Sequence, residues 1–298
     1  MKITSRIYLH KTFVVFLICL LTRVVPLSAE TNPAYQILGT FQQSTQFKLQ
    51  IEPIDCYLSP QVLDQIQKGA HFLYGVFHQQ FGLEFPASLE FRVKLFARHA
   101  AYKEYQRKVS GADSDYGFYV PRLNEAVIVF QSNEALMKQI ILHEIVHAFI
   151  NQWHPFIPRW LNEGMAMYFE TLQIQNEKVI IQPHAGAAFY LAQEITMNRL
   201  TNVRRFLEIS TEWEEYHKGN VGGPYAYAWS ITFFLMSSRE RQNYFKYFLT
   251  VMKQNQRGKD FSSEAMNVSY PGGIQKFEQD WHAWLMKKPE PHEFILRR

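Results

Sequence analysis

The chain has 298 residues, 47% of them hydrophobic and 15% aromatic, which is enough to close one large core or two subdomains and excludes an intrinsically disordered polypeptide. Its formal charge of +4 comes from 31 basic and 27 acidic residues, and four of the bases, Lys2, Arg6, Lys11 and Arg23, lie in the first 29 positions with no acid among them. The remainder carries 27 of each sign, a balance that gives no footing for nucleic-acid binding.

Residues 1–29 have the layout of an export signal. Bases come first, an apolar run follows from Phe13 to Leu21, and Leu27-Ser28-Ala29 offers a small-residue cleavage site. The run falls short of the about 20 residues that span a bilayer, and Arg23 blocks its extension. The expectation is a periplasmic or secreted protein with no stable membrane span after cleavage; the alternative is retention as an N-terminal anchor. Cys19 would leave with the signal, so Cys56 would be the only remaining cysteine and no intramolecular disulfide could form. Cys56 reads as a small packed residue, because no Cys-His constellation accompanies it.

Residues 30–298 show no repeat and no low-complexity linker, and read as one unit. Ser59-Pro60 has the cap and first-turn chemistry of a helix, and Leu63, Ile66, Ala70, Leu73 and Phe77 follow at helical spacing until Gly82. Leu89, Phe91, Val93 and Leu95 alternate with polar residues, as in a half-buried strand. A short polar helix is expected near 100–108. Tyr116 to Gln131 reads as a hairpin with its turn at Pro121 to Asn124, and its second strand, Glu125 to Phe130, enters the next helix through Ser132 and Asn133.

That helix carries His143-Glu144-Ile145-Val146-His147. Helical geometry puts the two histidines one turn apart on one face, where both imidazoles can hold a single metal ion. Zinc suits such a pair: imidazole nitrogen binds it at about 2.0–2.1 Å, and three protein ligands leave a fourth position for water. Glu144, beside that position, is placed to take the proton of the water and later return it to a leaving group. The next helix reads Pro158-Arg159-Trp160-Leu161-Asn162-Glu163-Gly164-Met165-Ala166-Met167-Tyr168-Phe169-Glu170 and brings a carboxylate near its start. Glu163 is the expected third ligand, completing a catalytic rather than a closed structural set. Beyond it the pattern is mostly helical, with Tyr225 to Met236, Tyr244 to Met252 and Ile274 to Met286 the clearest segments. Gly222-Gly223-Pro224 offers either a hinge or a turn, and Asn267-Val268-Ser269 is a glycosylation sequon.

The HExxH helix followed by Trp-Leu-Asn-Glu-Gly, an aromatic pair and Glu170 resembles the gluzincin metallopeptidases, in particular the compact peptidase MA-like domains; the Trp160 to Glu170 stretch is also similar to M1 aminopeptidases. The resemblance implies zinc on His143, His147 and Glu163, with Glu144 as general base. It implies an α+β, thermolysin-like catalytic domain over residues 30–298: a small mixed sheet with helices above it in 30–152, a helical part in 153–298, and the zinc cleft between them. It further implies that the strand just before the zinc helix is the sheet edge along which an extended peptide docks, a role for Val127, Val129 and their neighbours, whose own alternative reading is ordinary core.

Gly222 to Ser230 is similar to the Pro-Tyr segment that supplies an oxyanion-stabilising tyrosine in M1 enzymes, which lands on Tyr225; His217 is a second candidate electrophile. Departures are equally informative. Fifteen residues separate His147 from Glu163, a shorter interval than in thermolysin-like or M1 enzymes. No Gly-x-Met-Glu-Asn motif precedes the zinc helix, so exopeptidase activity is not implied. Met167 stands where thermolysin-like enzymes have a supporting aspartate, and Glu170 is the candidate replacement. Metzincins are excluded by Ile150 and Trp153. The expected function is an exported zinc endopeptidase acting on peptide or protein substrates. A zinc hydrolase of a non-peptide amide or ester, and a catalytically silent binding module on the same fold, are the alternatives.

Overall fold

The computed structural model describes residues 37–42, 46–86, 88–111, 113–208, 213, 222–255 and 261–297. Its first two strands, β1 (Ile37–Gln42) and β2 (Phe47–Ile54), join different sheets. Helix α1 (Pro60–Gly75) starts as the sequence indicates: the Ser59 side chain accepts from the Val62 amide at 3.3 Å, and Pro60 occupies the first turn. The run continues as a short π-helical turn (Val76–Gln80) and stops at Gly82, whose φ of +69° suits glycine.

Strand β3 (Leu89–Phe96) buries the alternating Leu89, Phe91, Val93 and Leu95. It leads to α2 (His99–Val109), then β4 (Gly117–Val120), a 3-10 turn at Pro121–Leu123 closed by left-handed Asn124, and β5 (Glu125–Val129). These strands form a mixed sheet in the order β2-β3-β5-β4, parallel except for the antiparallel β4–β5 hairpin. Ala126 and Ile128 face the main core, which includes α3 (Glu134–Trp153); Val127 and Val129 face a second cluster with Tyr102 of α2.

This topology corrects the expected edge. β5, the strand just before α3 in the chain, lies inside the sheet, paired on both sides and buried on both faces, so Val127 and Val129 are core residues. Even Glu125 is buried in it, with its carboxylate accepting the Tyr105 hydroxyl at 2.7 Å and lying 3.5 Å from the Lys94 ammonium. The edge next to α3 is β4.

The C-terminal half is mostly helical, as the pattern indicates, and adds three short strands. After α4 (Arg159–Glu170) come β6 (Leu172–Gln175) and β7 (Lys178–Ile181), joined by Asn176-Glu177, both with positive φ as in a tight hairpin turn. Then follow α5 (Ala185–Thr196), α6 (Val203–Glu208), α7 (Gly223–Met236), α8 (Arg239–Gln254), α9 (Ser262–Ser269), α10 (Gly273–Leu285) and the last strand, β8 (His292–Arg297). β8 pairs antiparallel with β7 and parallel with β1, making a second sheet in the order β1-β8-β7-β6.

Helix α7 is apolar nearly all round and buried, packed against α4, α5, α8 and α10. Gly223 and Pro224 form its first turn rather than a loop. The architecture is a mixed α/β arrangement with small mixed sheets and helices, compatible with α+β. Among the described residues no helix is long and apolar enough to cross a membrane. The expected signal at 1–29, with Cys19, and His217 lie outside the described residues. Cys56 is half-buried, its thiol donates to the Leu95 carbonyl at 3.3 Å, and burial pushes its pKa up, all in keeping with a packed residue.

Candidate metal centre

Helix α3 is capped by Asn133, whose side-chain oxygen accepts from the Leu136 amide at 3.1 Å, and is buried over most of its length. One turn apart near its middle, the His143 and His147 rings sit 4.7 Å between centroids with their planes at 85°. The chain then turns through 154–158 and re-enters the core as α4, where Trp160 and Leu161 are fully buried and fix the helix. This delivers Glu163 to the histidines. Its Oε2 lies 3.6 Å from His143 Nε2 and 3.8 Å from His147 Nε2, and the ligand atoms of all three residues fall within 4.8 Å of one another.

The donor set fits a bound cation. Glu163 is fully buried, and neither of its oxygens accepts a hydrogen bond within the described structure. A buried carboxylate left without a donor is costly unless a positive charge compensates it. Burial raises the Glu163 pKa, but His143, His147 and Arg159 outweigh it and hold the group near about 2. For His143 burial opposes the charged form, yet Glu163 and Glu170 prevail and raise it to about 10. A metal ion held there would compete with the proton that these carboxylates favour on His143.

A second layer aims the ligands. His143 Nδ1 donates to Glu170 Oε2 at 2.6 Å, and His147 Nδ1 pairs with Asn162 Oδ1 at 3.0 Å. In the metal-binding form, with a proton on each Nδ1, the Nε2 lone pairs point into the cluster, which is the tautomer a metal requires. Glu170 also meets His184, with Oε1 3.3 Å from the ring Nε2. Burial raises the Glu170 pKa, but the two histidines reverse this and set it near about 2.

Glu144 follows His143 on the same turn and is buried. Burial raises its pKa to about 8, with Glu163 and Glu170 adding to the rise and His143 opposing it. A pKa near the working pH suits a group that must take and return a proton. A small cavity of about 30 Å³ lies beside it, lined by Tyr116, Gly117, Gln139, Ile140, Glu144 and Glu170 among others. Gly117 is the first residue of the edge strand β4. A Cβ there would stand 3.4 Å from Glu144 Oε1 and 3.2 Å from Ile140 Cγ2, so the strand passes directly over the carboxylate.

Tyr225 occupies the first turn of α7. Its hydroxyl accepts from Arg159 Nη2 at 3.1 Å, and its ring meets Trp213 edge-on at 5.3 Å. Arg159 in turn lies over the Trp213 ring at 5.4 Å. Burial raises the Tyr225 pKa to about 12, Glu163 adds to this and Arg159 opposes it, which puts the hydroxyl within the electric field of the cluster. Contact between α4 and α7 depends on Gly164, the residue after Glu163, where an added Cβ would lie 2.6 Å from Thr232 Oγ1.

The structure therefore gathers His143, Glu144, His147 and Glu163, and confirms Glu170 as the partner of His143. Sequence reasoning assigned no role to Asn162, Arg159 or His184. Asn162 and Arg159 flank Glu163 in the motif itself, whereas nothing in the pattern marks His184.

Residues 137–256 match the family described as Protein of unknown function (DUF1570), an interval that contains every residue of the cluster together with His184 and Tyr225. No curated protein matches the chain.

Proposed function

We propose that this chain is an exported zinc-dependent metallopeptidase of the gluzincin kind, hydrolysing internal amide bonds of peptides or proteins. The observation that carries the reading is the convergence of two imidazoles and one buried carboxylate, with Glu144 on the same helical turn and a supporting partner on each imidazole. Two nitrogens and one oxygen make a set suited to zinc with an open fourth position. When bound, the ion supplies Lewis acidity, polarising a carbonyl oxygen and bringing the pKa of water at the site to about 7.

The protein's own groups do the rest. His143, His147 and Glu163 hold the ion. Glu144 takes a proton from the attacking water and passes it to the departing amine. The Tyr225 hydroxyl, held in the field of the cluster by Arg159 Nη2 at 3.1 Å, stabilises the oxyanion. The edge strand β4 walls the site above Glu144, and its Gly117 is held there by Ser114 Oγ, which accepts from the Gly117 amide at 3.3 Å and donates to its carbonyl at 2.6 Å. Export rests on the signal-like layout of residues 1–29.

One observation favours the silent binding module. The recess beside Glu144 is small, about 30 Å³, and is roofed on one side by Gly117 of β4, which leaves little space for a substrate group next to the carboxylate. Zinc content of the purified wild type and of Glu163→Ala, followed by hydrolysis of a mixed peptide library by wild type and Glu144→Gln, separates the readings. Peptide cleavage by the zinc-loaded wild type and not by the glutamine variant supports the peptidase. Bound zinc without cleavage of peptides, wall amides or esters supports the module, and cleavage of non-peptide substrates alone moves the assignment to them.

A further inference from the structure

The two oxygens of Glu170 meet different histidines. Oε2 takes the proton of His143 Nδ1 at 2.6 Å, and Oε1 stands 3.3 Å from His184 Nε2. The other nitrogen of His184 is committed as well: Nδ1 accepts the Ala187 amide at 3.2 Å, because His184 is the N-cap of α5. A neutral imidazole carries one proton, and a nitrogen that accepts from a backbone N–H cannot hold it. The proton therefore belongs on Nε2, the atom that faces Glu170. The chain of groups runs with one polarity, from the Ala187 amide through His184 to Glu170, where it meets the donor on His143.

A carboxylate held at one oxygen can swing about its terminal torsion, which is soft, whereas one held at both has its plane fixed. That plane decides where the Oε2 lone pair points, and so how the His143 ring is turned toward the cluster. We propose that His184 is a positioning residue of the metal centre: acting through Glu170, it orients His143 and tightens metal binding, and so ties the start of α5 to the affinity of the site. The proposal rests on His143, His147 and Glu163 being a metal centre, and is independent of which bond, if any, is hydrolysed.

Two substitutions divide the two duties of the ring. Asn is among the best N-caps and can accept from Ala187, but is too short to reach Glu170; Gln carries its amide nitrogen about where the imidazole Nε2 lies and can donate to Glu170, but is a poor cap. The probe is zinc itself, its affinity measured on the full chain by competition with a chelating dye, beside the thermal midpoint of the metal-free protein.

His184→Asn is expected to weaken zinc about 10-fold with the midpoint unchanged, at the lower end of what loss of an outer partner costs. His184→Gln is expected to keep zinc affinity within about 3-fold while lowering the midpoint, as loss of a cap does. In a Glu170→Gln background His184→Asn should weaken zinc no further, since its intermediary is gone. Wild-type affinity in His184→Asn, weakening that tracks the midpoint across both variants, or a full 10-fold effect that persists without Glu170 would each overturn the proposal. A wild type that takes up no zinc would remove the metal-centre reading and this inference together, an outcome distinct from tight zinc in wild type and variant alike.

Discussion

A Cβ on Gly164 would fall 2.4 Å from the carbonyl oxygen of Ala228, so the helix bearing Glu163 and the helix bearing Tyr225 touch backbone to backbone. Nothing flexible can yield there, because the obstructing atom is itself main chain. Gly164→Ala must push α4 and α7 apart, at an expected cost of about 3 kcal/mol. A urea midpoint equal to that of the wild type would refute this close contact; a lowered midpoint with reduced zinc content would show that the same contact also seats the third ligand.

Glu144 has no ligand role, so Glu144→Gln should bind zinc as the wild type does while kcat falls by about 10²- to 10⁴-fold, the usual range for a lost general base. His147→Ala should lose the metal instead. Elemental analysis beside steady-state kinetics checks both, and wild-type turnover by the glutamine variant would rule out the proposed mechanism.

Removing the Tyr225 hydroxyl should act on the transition state alone. Tyr225→Phe is expected to reduce kcat by about 10²-fold with zinc content and KM little changed, as for loss of one oxyanion donor. A change confined to KM would instead make Tyr225 part of the substrate-binding wall.

Metal removal should be legible in stability as well as activity. With zinc at a free concentration about a thousand times its Kd, binding adds about 4 kcal/mol to the folded state. Dialysis against a chelator should therefore lower the thermal midpoint, and added zinc should restore it. A midpoint indifferent to both would mean that the cluster holds no ion under these conditions.

His292 gives a pH dependence away from the centre. Its Nδ1 pairs with the Tyr168 hydroxyl at 2.8 Å, Phe233 packs on the ring at 4.0 Å, and burial lowers its pKa from 6.5 to about 3. The unfolded chain therefore binds the proton more readily than the folded one. This contribution to stability is complete above pH 6.5 and is lost as pH falls from there toward about 3, at about 1.4 kcal/mol per unit. Between pH 7.5 and about pH 5 the loss is about 2 kcal/mol. Denaturant midpoints at both pH values should fall less for His292→Phe than for the wild type; equal falls would refute the assignment.

The centre was legible because its geometry follows from local rules. Histidines four apart on a helix must share a face, and a carboxylate in the first turns of the next helix needs only a short connection to join them. Ser59-Pro60 announced α1 for the same reason. What escaped depends on distant pairing. β6 and β7 are four residues each and turn on Asn176-Glu177 without a glycine, and β8 finds β1 from the other side of the chain. The resemblance likewise misplaced the sheet edge, since β5 precedes α3 in the sequence but is flanked by β3 and β4 in space. His184 looked like any polar residue before a helix, because its reach to Glu170 is a tertiary fact.

The pairing of Ile37 with Glu293 has a consequence for biosynthesis. β8 lies between β1 and β7, and among the described residues it is the sole sheet partner of β1. The second sheet cannot close until residues 292–297 have left the ribosome, and Tyr168, near the C-terminal end of α4, has no His292 to bond until then. Closing so long a loop is slow relative to local helix formation. A nascent chain is thus held short of its finished fold until residues 292–297 emerge, and the bond from Tyr168 to His292, which braces the helix that carries Glu163, is among the last to form.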